Sequence, residues 1–250
     1  MKPLPIARLG AEACAPFPPV AQALHDPDGL LAVGGDLSVV RLLNAYRQGI
    51  FPWFSPGQPI LWWSPDPRMV FDTGSIRLPT KLRRQLRKSD WEVRADSAFD
   101  AVIHACATAP RPGQQGTWIT HQMVAAYLEL HRQGNAHSIE VFAHGQLIGG
   151  LYGVAIGRMF FGESMFSLTS GASKVALAGL AHILRRWHWP LIDAQVENEF
   201  TNSLGARPMA RALFLNEVKT LCALSDPPGS WQARIDPFPA SILADLAAWN

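Results

Sequence analysis

Two hydrophobic periodicities alternate along the chain after residue 68. Apolar residues three and four apart predict amphipathic helices at residues 81–88, 99–107, 123–134 and 173–187. Alternating or continuous apolar runs predict strands at residues 69–71, 91–94, 138–143, 146–156, 159–165 and 191–196, with a turn at His144-Gly145 and a bulge at Gly149-Gly150. Strands and helices in this order predict an α+β fold with a mostly antiparallel sheet flanked by helices.

The first 67 residues follow neither period. Ser38 is placed to cap a short helix that carries Tyr46. Prolines and aromatic residues then crowd residues 51–67, which predicts a rigid, irregular surface layer instead of a helix. We therefore expect a small N-terminal domain at residues 1–67 and a second domain at residues 68–250.

Composition narrows the class of protein. Of 250 residues, 48% are hydrophobic and 17% are charged, which excludes a chain dominated by intrinsic disorder. The formal net charge of +2 excludes a wholly basic nucleic-acid coat protein but leaves room for a local basic patch. Three widely spaced cysteines, and the absence of any apolar run near the ~20 residues of a membrane span, predict a cytoplasmic protein without membrane contact.

Several common chemistries have no motif in this sequence. None of the eight histidines has an HExxH or similar metal-binding spacing, and there is neither a GxSxG nucleophile motif nor a GxxxxGK[ST] phosphate loop. The glycines at 149–153 do not open a predicted helix, so they do not indicate a dinucleotide site. The sequence therefore offers no metal site and no nucleotide-cofactor site.

Polar residues inside two apolar strands are the strongest candidates for chemistry. Glu163 interrupts the apolar run from Met159 to Phe166. Strand alternation alone would turn it to solvent, whereas a buried carboxylate has to be paired or functional. Asp193 and Gln195 lie two apart in a buried strand, so we expect both side chains on one face. They form either a hydrogen-bonded core pair or part of a polar cleft.

Aromatic and basic segments each allow two interpretations. Trp53, Trp62 and Trp63 are either the core of a small domain or a platform for a base or an apolar substrate. Residues 81–88 carry five basic side chains beside a narrow apolar stripe, and form either a solvated helix face or a track for nucleic-acid phosphates. The residues alone indicate an α+β protein with a polar trio in an apolar cleft and a candidate RNA-binding surface.

A series of longer motifs recurs in the order found in one known family. The motifs are Asp28-Gly29-Leu30-Leu31-Ala32, Gly34-Gly35-Asp36-Leu37-Ser38, Gly49-Ile50-Phe51-Pro52-Trp53-Phe54-Ser55, Trp62-Trp63-Ser64-Pro65-Asp66-Pro67-Arg68, Gly116-Thr117-Trp118-Ile119-Thr120, His137-Ser138-Ile139-Glu140-Val141, Gly149-Gly150-Leu151-Tyr152-Gly153, Gly162 to Ser167, Ala172-Ser173-Lys174, Leu191 to Val196, and Ser203-Leu204-Gly205-Ala206. On these motifs the sequence resembles the bacterial leucyl/phenylalanyl-tRNA–protein transferases.

The resemblance implies a small N-terminal domain followed by an acetyltransferase-like (GNAT) domain. It implies transfer of Leu or Phe, and less well Met, from aminoacyl-tRNA to proteins with N-terminal Arg or Lys, which marks them for N-end-rule degradation. The partners would be aminoacyl-tRNA and the acceptor protein, and the enzyme would act as a monomer. Because the ester is less stable than the amide formed, the reaction requires neither ATP, metal nor cofactor.

The resemblance also implies residue roles. Asp193 and Gln195 would act on the acceptor amine, and Glu163 would contact the substrate amine or the ribose. Four residues would line the pocket for the Leu or Phe side chain: Leu151, Met165, Leu180 and Leu184. Trp53 and Trp118 would lie against the terminal adenosine with Tyr46 nearby. The tRNA phosphates would follow Lys81, Arg83, Arg84, Arg87 and Lys88.

Two alternatives stay open at this point. One is a GNAT-type N-acyltransferase that uses acyl-CoA, although the Q/RxxGxG/A pyrophosphate loop is replaced by Ser170-Gly171-Ala172-Ser173. The other is a catalytically silent module that binds the end of tRNA.

Overall fold

The computed structural model describes residues 6–109, 118–226 and 229–245. Its first sheet has strand order β1-β2-β4-β3, with β1 parallel to β2 and the other pairs antiparallel. These strands are β1 (Ala7–Leu9), β2 (Leu30–Gly34), β3 (Phe51–Pro52) and β4 (Leu61–Trp63). Within the motif that begins at Gly116, Gly116 and Thr117 lie outside the described residues.

The second sheet contains eight strands of the described chain in the order β11-β5-β10-β9-β8-β7-β6-β12. Neighbours are antiparallel except β9 and β10, which are parallel. The strands are β5 (Arg68–Asp72), β6 (Glu92–Ala95), β7 (Ala136–Ala143), β8 (Gln146–Ile156), β9 (Met159–Ser167), β10 (Leu191–Gln195), β11 (Arg207–Met209) and β12 (Phe238–Pro239).

Helices cover both faces of this sheet. They are α1 (Val39–Tyr46), α2 (Thr80–Leu86), α3 (Phe99–Thr108), α4 (His121–Arg132), α5 (Ala172–Arg186), α6 (Glu199–Ser203) and α7 (Arg211–Ala223). One face packs against α3, α4, α7 and, through the same hydrophobic core, against α1 and the first sheet. The other face packs against α2, α5 and a short 3-10 helix at Ala240–Ala244.

The α+β prediction, with its mostly antiparallel sheet flanked by helices, is confirmed. Three antiparallel strands, β7, β8 and β9, lead into α5, and the chain then returns as β10 parallel to β9. A parallel neighbour requires a crossover connection, which α5 supplies. This is the order of elements expected for an acetyltransferase-like domain.

The proline-rich segment differs from its prediction. Phe51, Phe54 and Trp62 are buried, and residues 51–52 and 61–63 pair as strands, so the segment is part of the core and not an irregular surface layer. Pro52 is tolerated because β3 is a two-residue strand at the edge of its sheet. The predicted cap of α1 is confirmed, since Ser38 Oγ accepts from the backbone N–H of Arg41.

Candidate active site

A cavity of about 910 Å³ opens where β9 and β10 separate. The two strands pair at Ile192 with Phe160 and at Asp193 with Phe161. Beyond these pairs the two strands no longer pair, and the residues that follow on both strands line the cavity, Glu163 and Gln195 among them. The gap therefore places the polar residues of both strands around one space.

A bulge directs Glu163 into the protein. Opposite β8, Ser164 pairs with Tyr152 and Gly162 pairs with Gly153, so Glu163 is the extra residue on β9. A bulge changes the direction of a side chain relative to simple alternation. Glu163 is only 8% exposed, which excludes the solvent-facing interpretation.

Three side chains bind the Glu163 carboxylate. Tyr46 Oη donates to Oε1 at 2.7 Å, and Tyr127 Oη donates to Oε2 at 2.8 Å. Gln195 Nε2 also donates to Oε1 at 2.8 Å. The two tyrosine hydroxyls are in contact with each other as well. The carboxylate is thus held by groups from α1, α4 and β10.

The electrostatics of this group suit proton transfer near neutral pH. Burial raises the pKa of Glu163 to about 7, against the opposing effect of the hydrogen bonds from Tyr46 and Tyr127. Burial, followed by the nearby Glu163 charge, raises the pKa of both tyrosines well above their usual value. Both tyrosines therefore stay protonated and remain donors, while Glu163 changes charge near pH 7.

Asp193 belongs to a buried ion pair. Arg68 binds it with both arms of the guanidinium: Nε lies 2.8 Å from Oδ1 and Nη2 lies 2.6 Å from Oδ2. Both side chains are buried, and the Arg68 guanidinium also lies over the rings of Phe51 and Phe214. This bidentate geometry fixes the Asp193 carboxylate in one orientation.

The spacing argument for Asp193 and Gln195 was wrong in its geometry. The strand is not regular there, because Asp193 pairs with Val70 and Gln195 pairs with Met69, which leaves one extra residue between them. Gln195 has a left-handed backbone with φ of +62°, and its N–H donates to Asp193 Oδ1 at 2.8 Å. The two residues still lie together, since the Asp193 side chain stabilises the bulge that turns Gln195 toward Glu163.

The contact with Glu163 also fixes which way the Gln195 side-chain amide faces. Its Nε2 must face Glu163, because a carboxylate only accepts hydrogen bonds. The amide oxygen is consequently on the side away from Glu163. An oxygen so placed can accept a hydrogen bond from an amine or ammonium in the cavity.

The cavity walls include most of the predicted substrate contacts. Trp53, Trp118, Leu151, Met165 and Leu180 all line it. Leu184 is fully buried and Tyr46 is fully buried, and neither lines the cavity. Leu184 lies one turn beyond Leu180 on α5 and belongs to the same hydrophobic core. Tyr46 contacts Glu163, and it does not line the cavity beside Trp53 and Trp118.

The basic segment forms α2, and its cations divide into two groups. Arg83 Nε donates to the carbonyl of Ala244 at 2.8 Å, and Arg87 Nη2 bonds Asp245 Oδ1 at 2.8 Å. These two hold the C-terminal 3-10 helix. The other three, Lys81, Arg84 and Lys88, are exposed.

Sequence reasoning missed two residues of the site, Arg68 and Tyr127. Arg68 is the last residue of the motif that begins at Trp62, and a cation next to an apolar strand was the available signal. Tyr127 falls on the apolar stripe of α4, where its ring packs in the core while its hydroxyl reaches Glu163. Nothing in the helical pattern distinguishes it from an ordinary core aromatic.

Metal and membrane features can be stated for the part of the chain that the structure describes. There, no cluster of three or more His, Cys, Asp or Glu side chains could hold a metal ion. No described helix is both long and apolar enough to span a bilayer.

A buried carboxylate and an oriented amide at the opening of a sheet are groups suited to acyl transfer onto an amine. The family model described as leucyl/phenylalanyl-tRNA protein transferase matches residues 70–219, and the model of its N-terminal domain matches residues 35–66. The chain belongs to the leucyl/phenylalanyl-tRNA protein transferase family, and its donor and acceptor are accordingly an aminoacyl-tRNA and a protein.

Curated relatives agree with this assignment. A leucyl/phenylalanyl-tRNA--protein transferase from Xanthomonas euvesicatoria pv. vesicatoria is 65% identical over 237 residues, 95% of each chain. One from Xylella fastidiosa is 60% identical over 216 residues, 86% of this chain and 89% of that one. A solved GCN5-related N-acetyltransferase from Kribbella flavida aligns with a TM-score of 0.35 at 11% identity, over 65% of this chain and 57% of that one. That likeness is too distant to bear on function.

Proposed function

We propose that this enzyme transfers Leu or Phe, and less well Met, to the α-amino group of proteins that begin with Arg or Lys, and that the product is marked for N-end-rule degradation. The observation that carries the proposal is the Glu163–Gln195 pair at an apolar cavity. An amide oxygen and a carboxylate with a pKa of about 7 are suited to bind and deprotonate an amine.

The reaction is aminolysis of an ester. The acceptor nitrogen, once deprotonated, attacks the carbonyl carbon of the aminoacyl group, and a C–N bond forms. The bond from that carbon to the ribose oxygen of tRNA breaks, and the ribose oxygen takes up a proton. The nitrogen loses two protons on the way from ammonium to amide: the first leaves before the attack and passes to solvent, and the second leaves the tetrahedral adduct and goes to the ribose oxygen. A single base that then acts as an acid can carry the second proton.

In this proposal Glu163 removes the proton from the acceptor amine, and Gln195 holds the amine in position. Gln195 Oε1 accepts a hydrogen bond from the amine, while Nε2 keeps the amide oriented through Glu163. Because the pKa of Glu163 is about 7, its carboxylate can take a proton from the amine through one water molecule, and return it, near neutral pH. Holding the reactants in this geometry lowers the barrier further by removing the entropy cost of their encounter.

Asp193 acts as a positioning residue in this proposal. Arg68 occupies both of its oxygens, and the Gln195 N–H uses Oδ1 as well. These contacts tie Asp193 to Arg68 and to the backbone of Gln195. Its contribution is to hold the bulge that aims Gln195.

The apolar wall formed by Leu151, Met165 and Leu180 would receive the side chain of the transferred residue. A hydrophobic pocket discriminates by roughly 1–3 kcal/mol per methylene, so Leu should be transferred about 10- to 200-fold faster than Val. β-Branched Ile should also be a poor substrate. Competition between Leu-tRNA, Ile-tRNA and Val-tRNA for one acceptor peptide measures this, and equal rates would contradict the pocket assignment.

Trp53 and Trp118 line the same cavity and would contact the terminal adenosine. Trp53 is 38% exposed and its ring lies 5.9 Å from that of Trp63, whose indole N–H donates to the Trp53 carbonyl. An aromatic ring that is both exposed and held in place is suited to stack on a base.

The exposed cations within α2 and directly after it would contact tRNA phosphates. Replacing Lys81, Arg84 and Lys88 together with Ala should weaken tRNA binding, and should reduce its salt dependence by about one slope unit for each phosphate that is no longer bound. Binding of a short aminoacyl-adenosine should not change. Arg83→Ala with Arg87→Ala provides the contrast, because these residues hold the C-terminal segment and their removal should mainly lower the melting temperature. Equal weakening of both ligands by the first variant would contradict the phosphate assignment.

The direct test of the proposed function is transfer of radiolabelled Leu from Leu-tRNA to synthetic peptides that differ only in their first residue. Arg- and Lys-led peptides should be labelled and Asp-led peptides should not. Labelling without regard to the first residue would overturn the acceptor assignment. Labelling from an acyl-CoA in place of tRNA would overturn the donor.

A further inference from the structure

Three carboxylates of the described residues line the cavity, and two of them have both oxygens bound within the protein. Glu163 accepts from Tyr46, Tyr127 and Gln195. Asp193 is held by both arms of Arg68 and by a backbone N–H. Glu163 is assigned to the α-amine of the acceptor and Asp193 to the turn at Gln195, so neither is assigned to a second cation on the acceptor.

Glu197 is the third carboxylate and differs from the other two. It is exposed, and its Oε1 accepts from Asn202 Nδ2 at 2.9 Å, which restrains the side chain. No Lys, Arg or His within the described ranges lies at ion-pair distance from it. Its second oxygen is available to a cation from outside.

The loop that carries Glu197 is fixed at both ends. On one side, the Gln195 N–H is bound by Asp193. On the other, Asn198 caps α6 by accepting from the N–H of Thr201 at 2.8 Å. Glu197 therefore has a defined place relative to Gln195, the residue assigned to the acceptor amine.

We propose that Glu197 binds the side-chain cation of the acceptor's first residue and so sets the preference for Arg or Lys. The inference rests on the proposed function. Two Cα–Cα steps separate Gln195 from Glu197, a span of at most about 7 Å. If the α-amine of the acceptor lies at Gln195, the positive charge of its first side chain reaches Glu197 only at the end of a long aliphatic chain. Arg and Lys have such a side chain, and both carry a positive charge at neutral pH.

The contact gains strength when the substrates are bound. An exposed ion pair in water contributes little, because solvent and salt screen it. Aminoacyl-tRNA and the acceptor peptide would cover the loop and reduce this screening. A restrained carboxylate also gives up less side-chain entropy than a mobile one.

Steady-state transfer to an Arg-led peptide and to its citrulline-led counterpart provides the test, because citrulline has a similar shape without the charge. In Glu197→Gln the ratio of kcat/KM for Arg over citrulline should fall about tenfold, mainly through KM for the Arg-led peptide, as expected when a charge-assisted hydrogen bond is removed. Glu197→Arg should reduce the ratio further. The matched control is Glu199→Gln, an exposed carboxylate two residues away that does not line the cavity, and it should leave the ratio unchanged.

The outcomes distinguish a failure of the proposed acceptor class from a failure of the role proposed for Glu197. If the wild-type enzyme does not prefer Arg over citrulline, the proposed acceptor class fails. If it does prefer Arg, and the ratio persists in Glu197→Gln or falls equally in Glu199→Gln, the role of Glu197 is overturned and the acceptor class stands. Raising the salt concentration should lower the wild-type ratio toward that of Glu197→Gln, and a salt-independent ratio would also contradict an ionic contact at this exposed loop.

Discussion

Replacing Glu163 with Gln should lower the single-turnover rate of transfer by about 10²- to 10⁴-fold, the range expected when a general base is removed. The substitution keeps the shape of the side chain: its one oxygen can still accept from Tyr46, and its NH2 can donate to the hydroxyl oxygen of Tyr127. Affinity for aminoacyl-tRNA should change little, because the variant removes a charge from the reaction step and not from the walls of the cavity. Single-turnover transfer and equilibrium tRNA binding on the same preparation measure both quantities.

The melting temperature of Glu163→Gln is the control, and the direction of its expected change follows from the pKa of Glu163. The pKa of Glu163 rises from 4.5 to about 7 in the folded protein, so the folded state holds this proton more tightly than the unfolded state. The stability linked to this group is present below pH 4.5 and is lost between pH 4.5 and 7, by about 3 kcal/mol. Above pH 7, Glu163→Gln should therefore unfold at the same temperature as the wild type or higher.

The pH profile tests the same group in the intact enzyme. Transfer by the wild type should decrease below about pH 7, as the Glu163 carboxylate becomes protonated. Tyr127→Phe removes a hydrogen bond that favours the ionised carboxylate, so this acidic limb should move to higher pH. Glu163 is excluded as the base if Glu163→Gln transfers at the wild-type rate. It is also excluded if Tyr127→Phe leaves the acidic limb of the pH profile unchanged.

Much of the fold follows from the chain's periodicity. The helix predicted at residues 173–187 is found at Ala172–Arg186, and the strand predicted at 191–196 is found at Leu191–Gln195. Such long segments are predictable because each buries one continuous apolar face. The short strands between residues 51 and 63 were not predicted, because they depend on partners distant in sequence and are too short to show a period.

Several residues of the site could be predicted from the sequence, but their orientations could not. Glu163, Asp193 and Gln195 were identified because polar groups in apolar strands need a reason to be there. Their orientations depend on two bulges, one at Glu163 and one before Gln195, and a bulge is visible only when both strands of the pair are known. Arg68 and Tyr127 were missed for the same reason, since each gains its role from a contact made across the fold.

Removing the charge of Asp193 should affect both stability and transfer. In Asp193→Asn the buried Arg68 loses its counter-charge, and breaking a buried ion pair on one side costs roughly 3–5 kcal/mol. For a chain of this length that corresponds to a fall in melting temperature of about 10 °C. Transfer should also fall at temperatures where the variant is folded, because the Gln195 N–H loses the carboxylate that holds its turn. Thermal unfolding and single-turnover transfer at low temperature record the two effects.

A double variant separates these two effects of Asp193. In Arg68→Leu/Asp193→Leu both charges are gone, and replacing a buried ion pair with apolar side chains often restores stability. If Asp193 served only to neutralise Arg68, transfer would recover along with the melting temperature. If it holds Gln195 in place, transfer should stay at least tenfold below wild type while stability returns, because neither leucine can accept the Gln195 N–H. Gln195→Ala made in the same double variant should then cost little more, since residues that act through one another are not additive. A double variant that regains both stability and transfer would show that Asp193 is a structural partner of Arg68 and has no part in directing Gln195.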